Sequence, residues 1–213
     1  MHNAVLWPQR QRSLVAILRG IQPHEVEAIT ETLIDCGFEF IEVPLNSPDP
    51  LASIERIAKR FGDHAIIGAG TVLTADDCAR VADAGGQLMV SPNVNPDVLA
   101  MAQSRSMVSL PGVFTPSEAL LALRCGASAL KFFPASALGP SGIAAIRTIL
   151  PSDAVVGAVG GVSDKNLADY VAVGIHAFGL GSSLYRPGMT ADDVRKTAQA
   201  SIDAYDQAMA RTR

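Results

Sequence analysis

The sequence is poor in the residues that build disulfide scaffolds, metal clusters and nucleic-acid surfaces. Its three cysteines, Cys36, Cys78 and Cys125, are odd in number and far apart in a chain of 213 residues. A protein of this size seldom needs disulfides, and no pair has zinc-ligand spacing, so each thiol is read as filling a small apolar space. The four histidines, His2, His24, His64 and His176, are equally scattered. No metal site and no cofactor are expected. Aromatic residues amount to only 5%, which leaves the core to Ala, Val, Leu and Ile. A net charge of −4 offers no basic face for nucleic acid. No apolar run approaches the ~18 residues of a membrane helix. The start, Met1-His2-Asn3-Ala4, lacks the basic region and apolar stretch of a secretion signal. With 48% hydrophobic and 18% charged residues the chain is not disordered. The expectation is a soluble cytoplasmic protein whose partner is a small molecule rather than nucleic acid or a membrane.

What is present is an alternation. Short aliphatic runs read as strands at Leu14–Leu18, Phe40–Pro44, His64–Gly68, Leu88–Val90, Met107–Leu110, Ala127–Phe133, Ala154–Val159 and His176–Leu180. Between them lie helical stretches: Pro23–Cys36, Pro48–Phe61, Thr74–Ala84, Pro96–Ser104, one opened by Thr115-Pro-Ser-Glu118, Ser141–Leu150, Ser163–Val173, and finally Thr190–Met209. Thr115 with Glu118 three residues on is a capping box, with Pro at the first helical position. Alternating strand and helix predicts a parallel sheet. Eight such units over residues 1–213, with no linker or shift in composition, predict one small (β/α)8 barrel.

A barrel of this kind places chemistry at the C-terminal ends of its strands. Polar residues and glycines collect there: Arg19, Asn46, Thr71, Pro92, the Gly160-Gly161 pair and Gly181-Ser182. Lys131 stands out among only four lysines because it lies inside the apolar run Ala127-Ser-Ala-Leu-Lys-Phe-Phe133. Side chains alternate along a strand, so Leu130 and Phe132 face the helices while Lys131 points inward with Ala129 and Phe133. A buried ammonium loses its proton more easily, and a neutral amine attacks carbonyls. The alternatives are a buried ion pair or a lysine reaching the rim. Glu42 faces inward by the same alternation, close enough to pair with Lys131. It reads either as a general acid/base or as a structural partner. The Gly160-Gly161 and Gly181-Ser182 pairs after the seventh and eighth expected strands suit either turns or backbone binding of phosphate.

Five stretches add a resemblance: Phe40-Ile-Glu-Val-Pro-Leu-Asn-Ser-Pro, Ile67-Gly-Ala-Gly-Thr-Val-Leu, Ser91-Pro-Asn, Leu130-Lys-Phe-Phe-Pro-Ala and Val159-Gly-Gly-Val. The chain resembles the class I keto-deoxy-phospho-aldonate aldolases. The resemblance implies a homotrimer with Lys131 as the Schiff-base residue and Glu42 as the acid/base. It also implies Thr71 near the substrate and phosphate held by Gly160, Gly161, Gly181 and Ser182, with Pro92 and Phe133 in the same pocket. The glucose-series members have Glu-Val-Thr-Leu-Arg-Thr; here that arginine is Asn46, and Arg19 restores the charge for the carboxylate. Together with Val159 in place of a threonine, this is similar to the galactonate-series branch. The implied reaction cleaves 2-dehydro-3-deoxy-6-phosphogalactonate to pyruvate and D-glyceraldehyde 3-phosphate. Other readings are the gluconate epimer or another 2-keto-4-hydroxy acid as substrate, a phosphosugar isomerase or epimerase, and a non-catalytic phosphosugar-binding barrel.

Overall fold

A computed structural model describes residues 5–212. The strands are β1 (Leu14–Ile17), β2 (Phe40–Pro44), β3 (Ile66–Gly70), β4 (Leu88–Val90), β5 (Val108–Leu110), β6 (Gly112–Val113), β7 (Leu130–Phe132), β8 (Val156–Val159) and β9 (Ala177–Leu180). The helices are α1 (Val26–Cys36), α2 (Pro50–Phe61), α3 (Ala75–Asp83), α4 (Pro96–Ser104), α5 (Pro116–Arg124), α6 (Ala135–Arg147), α7 (Leu167–Val171) and α8 (Ala191–Ala210). All strand pairs are parallel. The order β5-β4-β3-β2-β1-β9-β8-β7-β6 has β5 at one end and β6 at the other.

These two ends are one stretch of chain interrupted at Pro111. Proline has no N–H to give to a ladder, so β5 pairs with β4 on one side and β6 pairs with β7 on the other. The Pro111 carbonyl accepts from the Lys131 N–H at 2.9 Å, and the Ser109 carbonyl from the Ala129 N–H at 3.1 Å. The sheet therefore closes into the expected barrel, with eight staves of which one is split.

Local chemistry explains most boundaries. Thr115 accepts from the Glu118 N–H while Glu118 accepts from the Thr115 N–H, the reciprocal cap read from sequence. Thr190 and Asp193 form a second such cap on α8. Strand β3 runs two residues further than expected, through Gly68-Ala-Gly70, although glycines usually interrupt strands. Both glycines are required by close approach: a Cβ on Gly68 would strike the Leu88 backbone, and one on Gly70 would strike the Glu42 carboxyl. Helix α7 spans only Leu167–Val171. Ahead of it, Asn166 accepts from the Ser163 N–H and donates to the Gly161 carbonyl, so the chain forms a side-chain-tied loop where a helical turn was expected. Helix α6 begins earlier than expected, at Ala135, and is broken at Gly139 (φ 67°, ψ 170°).

Two apolar layers result. Ile41, Val43, Leu130, Phe132 and Phe178 pack outward under the helices. Val15, Phe40, Ile66, Leu88, Val108 and Ala129 fill the lower interior together with Trp7. Trp7 closes the barrel floor, stacked on Phe40 at 4.7 Å between ring centroids, with its indole N–H donating to Ser13 Oγ at 3.2 Å.

Candidate active site

Above the apolar floor, at the C-terminal ends of the strands, lies a cavity of 420 Å³. That volume suits a small ligand. Arg19 comes from the end of β1, Glu42 from β2, Thr71 from the turn after β3, Pro92 from the turn after β4, and Lys131 and Phe133 from β7 and its exit. Val159, Gly160 and Gly161 come from β8, and Gly181 and Ser182 from the turn after β9. These eleven residues line this one cavity, whereas Asn46, also noted at the rim, is outside its lining and instead accepts from Arg19.

Lys131 and Glu42 are its buried ionisable groups, 6% and 3% exposed. Burial lowers the Lys131 pKa to about 8, against the attraction of Glu42, and Arg19 adds to the lowering. Burial raises the Glu42 pKa to about 7, opposed by Lys131, Arg19 and the Gly70 N–H. The two groups feel each other's charge, yet no ion pair joins them within 4.0 Å. The direct contact anticipated from sequence is replaced by a gap. Glu42 Oε2 is buried without a hydrogen-bond partner, an arrangement that is costly unless the site has a use for it. The Lys131 ammonium lies 5.0 Å from the centroid of the Phe133 ring.

The rest of the wall is arranged around this pair. Thr71 has φ 58°. A β-branched residue in the left-handed region is strained by about 1–3 kcal/mol, and such strain concentrates at functional sites. Arg19 donates through Nη1 to Asn46 Oδ1, and the next residue, Gly20, donates its N–H to Ser47 Oγ at 2.9 Å. The exits of β1 and β2 are thereby pinned together. Gly160 and Gly161 take φ values of 90° and 81°. A Cβ on Gly160 would press on Phe133, and one on Gly161 on Ser136. Among the described residues, the backbone N–H groups of Gly161, Val162, Ser182 and Ser183 donate to no other residue. Four free N–H groups on one wall form a surface for an anion.

Residues 8–200 match the family model for KDPG and KHG aldolases. The chain belongs to the KDPG and KHG aldolase family. It is 59% identical over 199 residues to a probable 2-dehydro-3-deoxy-6-phosphogalactonate aldolase of Rhizobium meliloti, covering 93% of this chain and 94% of that protein. It is 45% identical over 201 residues to the 2-dehydro-3-deoxy-6-phosphogalactonate aldolase of Escherichia coli K12, covering 94% and 98%. A solved structure described as native KDPGal superposes with a TM-score of 0.94 at 45% identity, covering 96% of this chain and 99% of that one. For an aldolase, an amine near neutrality beside a protonatable carboxyl supplies both an electron-withdrawing adduct and a proton carrier.

Sequence reasoning missed four features of the site: Arg186, the Asn46 contact to Arg19, the tight packing of Gly70 against Glu42, and the wall residues Ile17 and Gly179. A signal existed for Ile17, which shares the inward face with Val15. None existed for Arg186, which sits in a polar turn.

Proposed function

We propose that this chain cleaves 2-dehydro-3-deoxy-6-phosphogalactonate to pyruvate and D-glyceraldehyde 3-phosphate through a Schiff base on Lys131. One observation carries the reading: a buried lysine without an ion-pair partner, with its pKa lowered to about 8, at the wall of a cavity it shares with a carboxyl raised to about 7.

The neutral Lys131 amine attacks the C2 ketone, and Glu42 delivers a proton to the oxygen through a water in the gap between them. Loss of water from the carbinolamine gives an iminium. As the C3–C4 bond breaks, its electron pair flows to the iminium nitrogen, and the C4 hydroxyl gives its proton to the Glu42 carboxylate. The aldehyde leaves. Glu42 returns the proton to C3 of the enamine, and hydrolysis frees pyruvate and Lys131. Arg19 holds the substrate carboxylate by charge-assisted hydrogen bonds. The free N–H groups near Gly161 and Ser182 receive the phosphate. The iminium is the electron sink, so this scheme calls for no metal.

Val159 supports the choice of epimer. It lines the cavity beside the Gly160-Gly161 corner, and its isopropyl group offers no hydrogen bond to a C4 hydroxyl, the group whose configuration distinguishes the two epimers. Comparing kcat/KM for the galactonate and gluconate phosphates tests this reading, with the galactonate epimer expected to be faster. Preference for the gluconate epimer overturns the substrate assignment and leaves the aldolase chemistry standing. We also read the functional unit as a homotrimer. Consistent with an oligomer, a chain 44% identical forms part of a cage designed by fusing symmetric oligomeric domains. Light scattering on purified protein tests the state. Among the described residues no helix is long and apolar enough to cross a membrane.

A further inference from the structure

The scheme above leaves the substrate's phosphate to backbone N–H groups and one serine, all of them neutral. A phosphate monoester carries about −1.5 to −2 charges at neutral pH. Of the cavity's three cations, Lys131 is buried in the barrel and Arg19 is held by Asn46. The third, Arg186, belongs to the turn after β9 and lines the same cavity as Gly161, Ser182 and Ser183.

Its setting is specific. Arg186 Nε donates to the Ser182 carbonyl at 2.9 Å, which ties the guanidinium to the turn that carries the free N–H groups. Its backbone N–H is directed to Met189 Sδ at 3.2 Å. Both Nη groups are without a hydrogen-bond partner among the described residues, and no carboxylate lies within 4.0 Å of the guanidinium. The neighbouring turn is fixed too, since Ser183 Oγ donates to the Val162 carbonyl at 3.0 Å and so joins the exits of β8 and β9. A surface arginine commonly pairs with a nearby carboxylate. This one is anchored by one nitrogen while two remain free beside unclaimed N–H groups, a geometry suited to a planar fork on phosphate oxygens.

We propose that Arg186 binds the substrate's phosphate through its Nη groups, and that it makes the enzyme selective for phosphorylated keto acids over their unphosphorylated counterparts. The proposal rests on the aldolase reading given above. Placing the charge in the turn after β9 also separates two tasks: Arg19 recognises the carboxylate end and Arg186 the phosphate end, so an extended substrate is oriented with its ketone toward Lys131.

The test compares the parent, Arg186→Ala and Arg186→Lys on a phosphorylated keto acid and on the same acid without phosphate. A charge-assisted contact predicts that Arg186→Ala loses roughly 10- to 100-fold more kcat/KM on the phosphorylated substrate than on the other. Arg186→Lys keeps the charge but not the fork, and should recover part of that selectivity. Inorganic phosphate should compete with substrate in the parent and require roughly 10-fold more in Arg186→Ala. Equal loss on both substrates, or unchanged phosphate competition, overturns the proposal. Trapping of pyruvate on Lys131 in the parent separates the two levels. A parent that forms no adduct fails as a Schiff-base aldolase, whereas a parent that forms it while Arg186→Ala keeps its selectivity removes only the role of Arg186.

Discussion

The same strands build two different chambers inside this barrel. In the lower one, Val15, Phe40, Ile66, Leu88, Val108 and Ala129 meet Trp7 and exclude polar groups. Two residues further along β2, β3 and β7, about 6.6 Å higher, the inward positions change character. Phe40 is followed by Glu42, Ile66 by Gly68 and then Gly70, and Ala129 by Lys131 and then Phe133, whereas Val15 is followed by Ile17, Leu88 by Val90 and Val108 by Leu110, so that side of the wall stays apolar. One repeat of the pleat separates packing from chemistry. The lower chamber stabilises the fold, and the upper one holds charge against the preference of its groups. Glu42 has its folded pKa raised above the ordinary carboxyl value of 4.5 to about 7, so its contribution to stability is fully present below 4.5 and is lost as pH rises through about 7. Lys131 has its folded pKa lowered from 10.5 to about 8, so its penalty grows as pH falls from 10.5 through about 8 and persists below. Near neutral pH both groups oppose folding, and a reactive site gains from that opposition.

The contrast breaks most sharply at Lys131. Lys131→Met should abolish cleavage while the protein still folds, because an apolar side chain of similar length replaces a buried amine. A circular dichroism melt beside an activity assay checks both halves; near-parental activity would end the imine mechanism. Glu42→Gln should slow turnover by roughly 10²- to 10⁴-fold, the range of a positioned acid/base. It should also move the acid limb of imine formation to lower pH, because the Glu42 charge holds the Lys131 pKa up. An unmoved limb in a pH series of adduct formation would show that the two groups do not communicate. Phe40→Ala, one pleat below Glu42, should do the reverse: cost about 3–5 kcal/mol in denaturant unfolding with KM for substrate little changed. The smallest effect is expected at Arg19→Ala, about 1.5–3 kcal/mol of pyruvate affinity. Pyruvate binding equal to the parent's would place the carboxylate elsewhere.

The two chambers were not equally legible in the sequence. The upper one announced itself through a lysine inside an apolar strand, because strand alternation fixes which side chains face inward, and through the Gly160-Gly161 and Gly181-Ser182 pairs after β8 and β9. Thr115 and Glu118 marked their helix for the same reason, since capping is local. The floor was hidden. Trp7 precedes the first strand, and only its stack on Phe40, 33 positions away, gives it a role. The split at Pro111 was equally silent, because each half finds its partner on a different strand. Gly70 fell beyond the expected end of its strand at Gly68, for the Glu42 carboxyl that packs against it is 28 residues distant in sequence. Asn46 was noticed as a missing charge, and only the folded chain shows it holding the arginine that replaces that charge.

The central claim is that the buried amine of Lys131 forms the covalent intermediate. Incubation with pyruvate and borohydride, followed by intact mass and peptide mapping, tests it directly. The account predicts one reduced pyruvate adduct per chain, located on Lys131 and absent from Lys131→Met. No adduct, or an adduct on Lys59, Lys165 or Lys196, would contradict it.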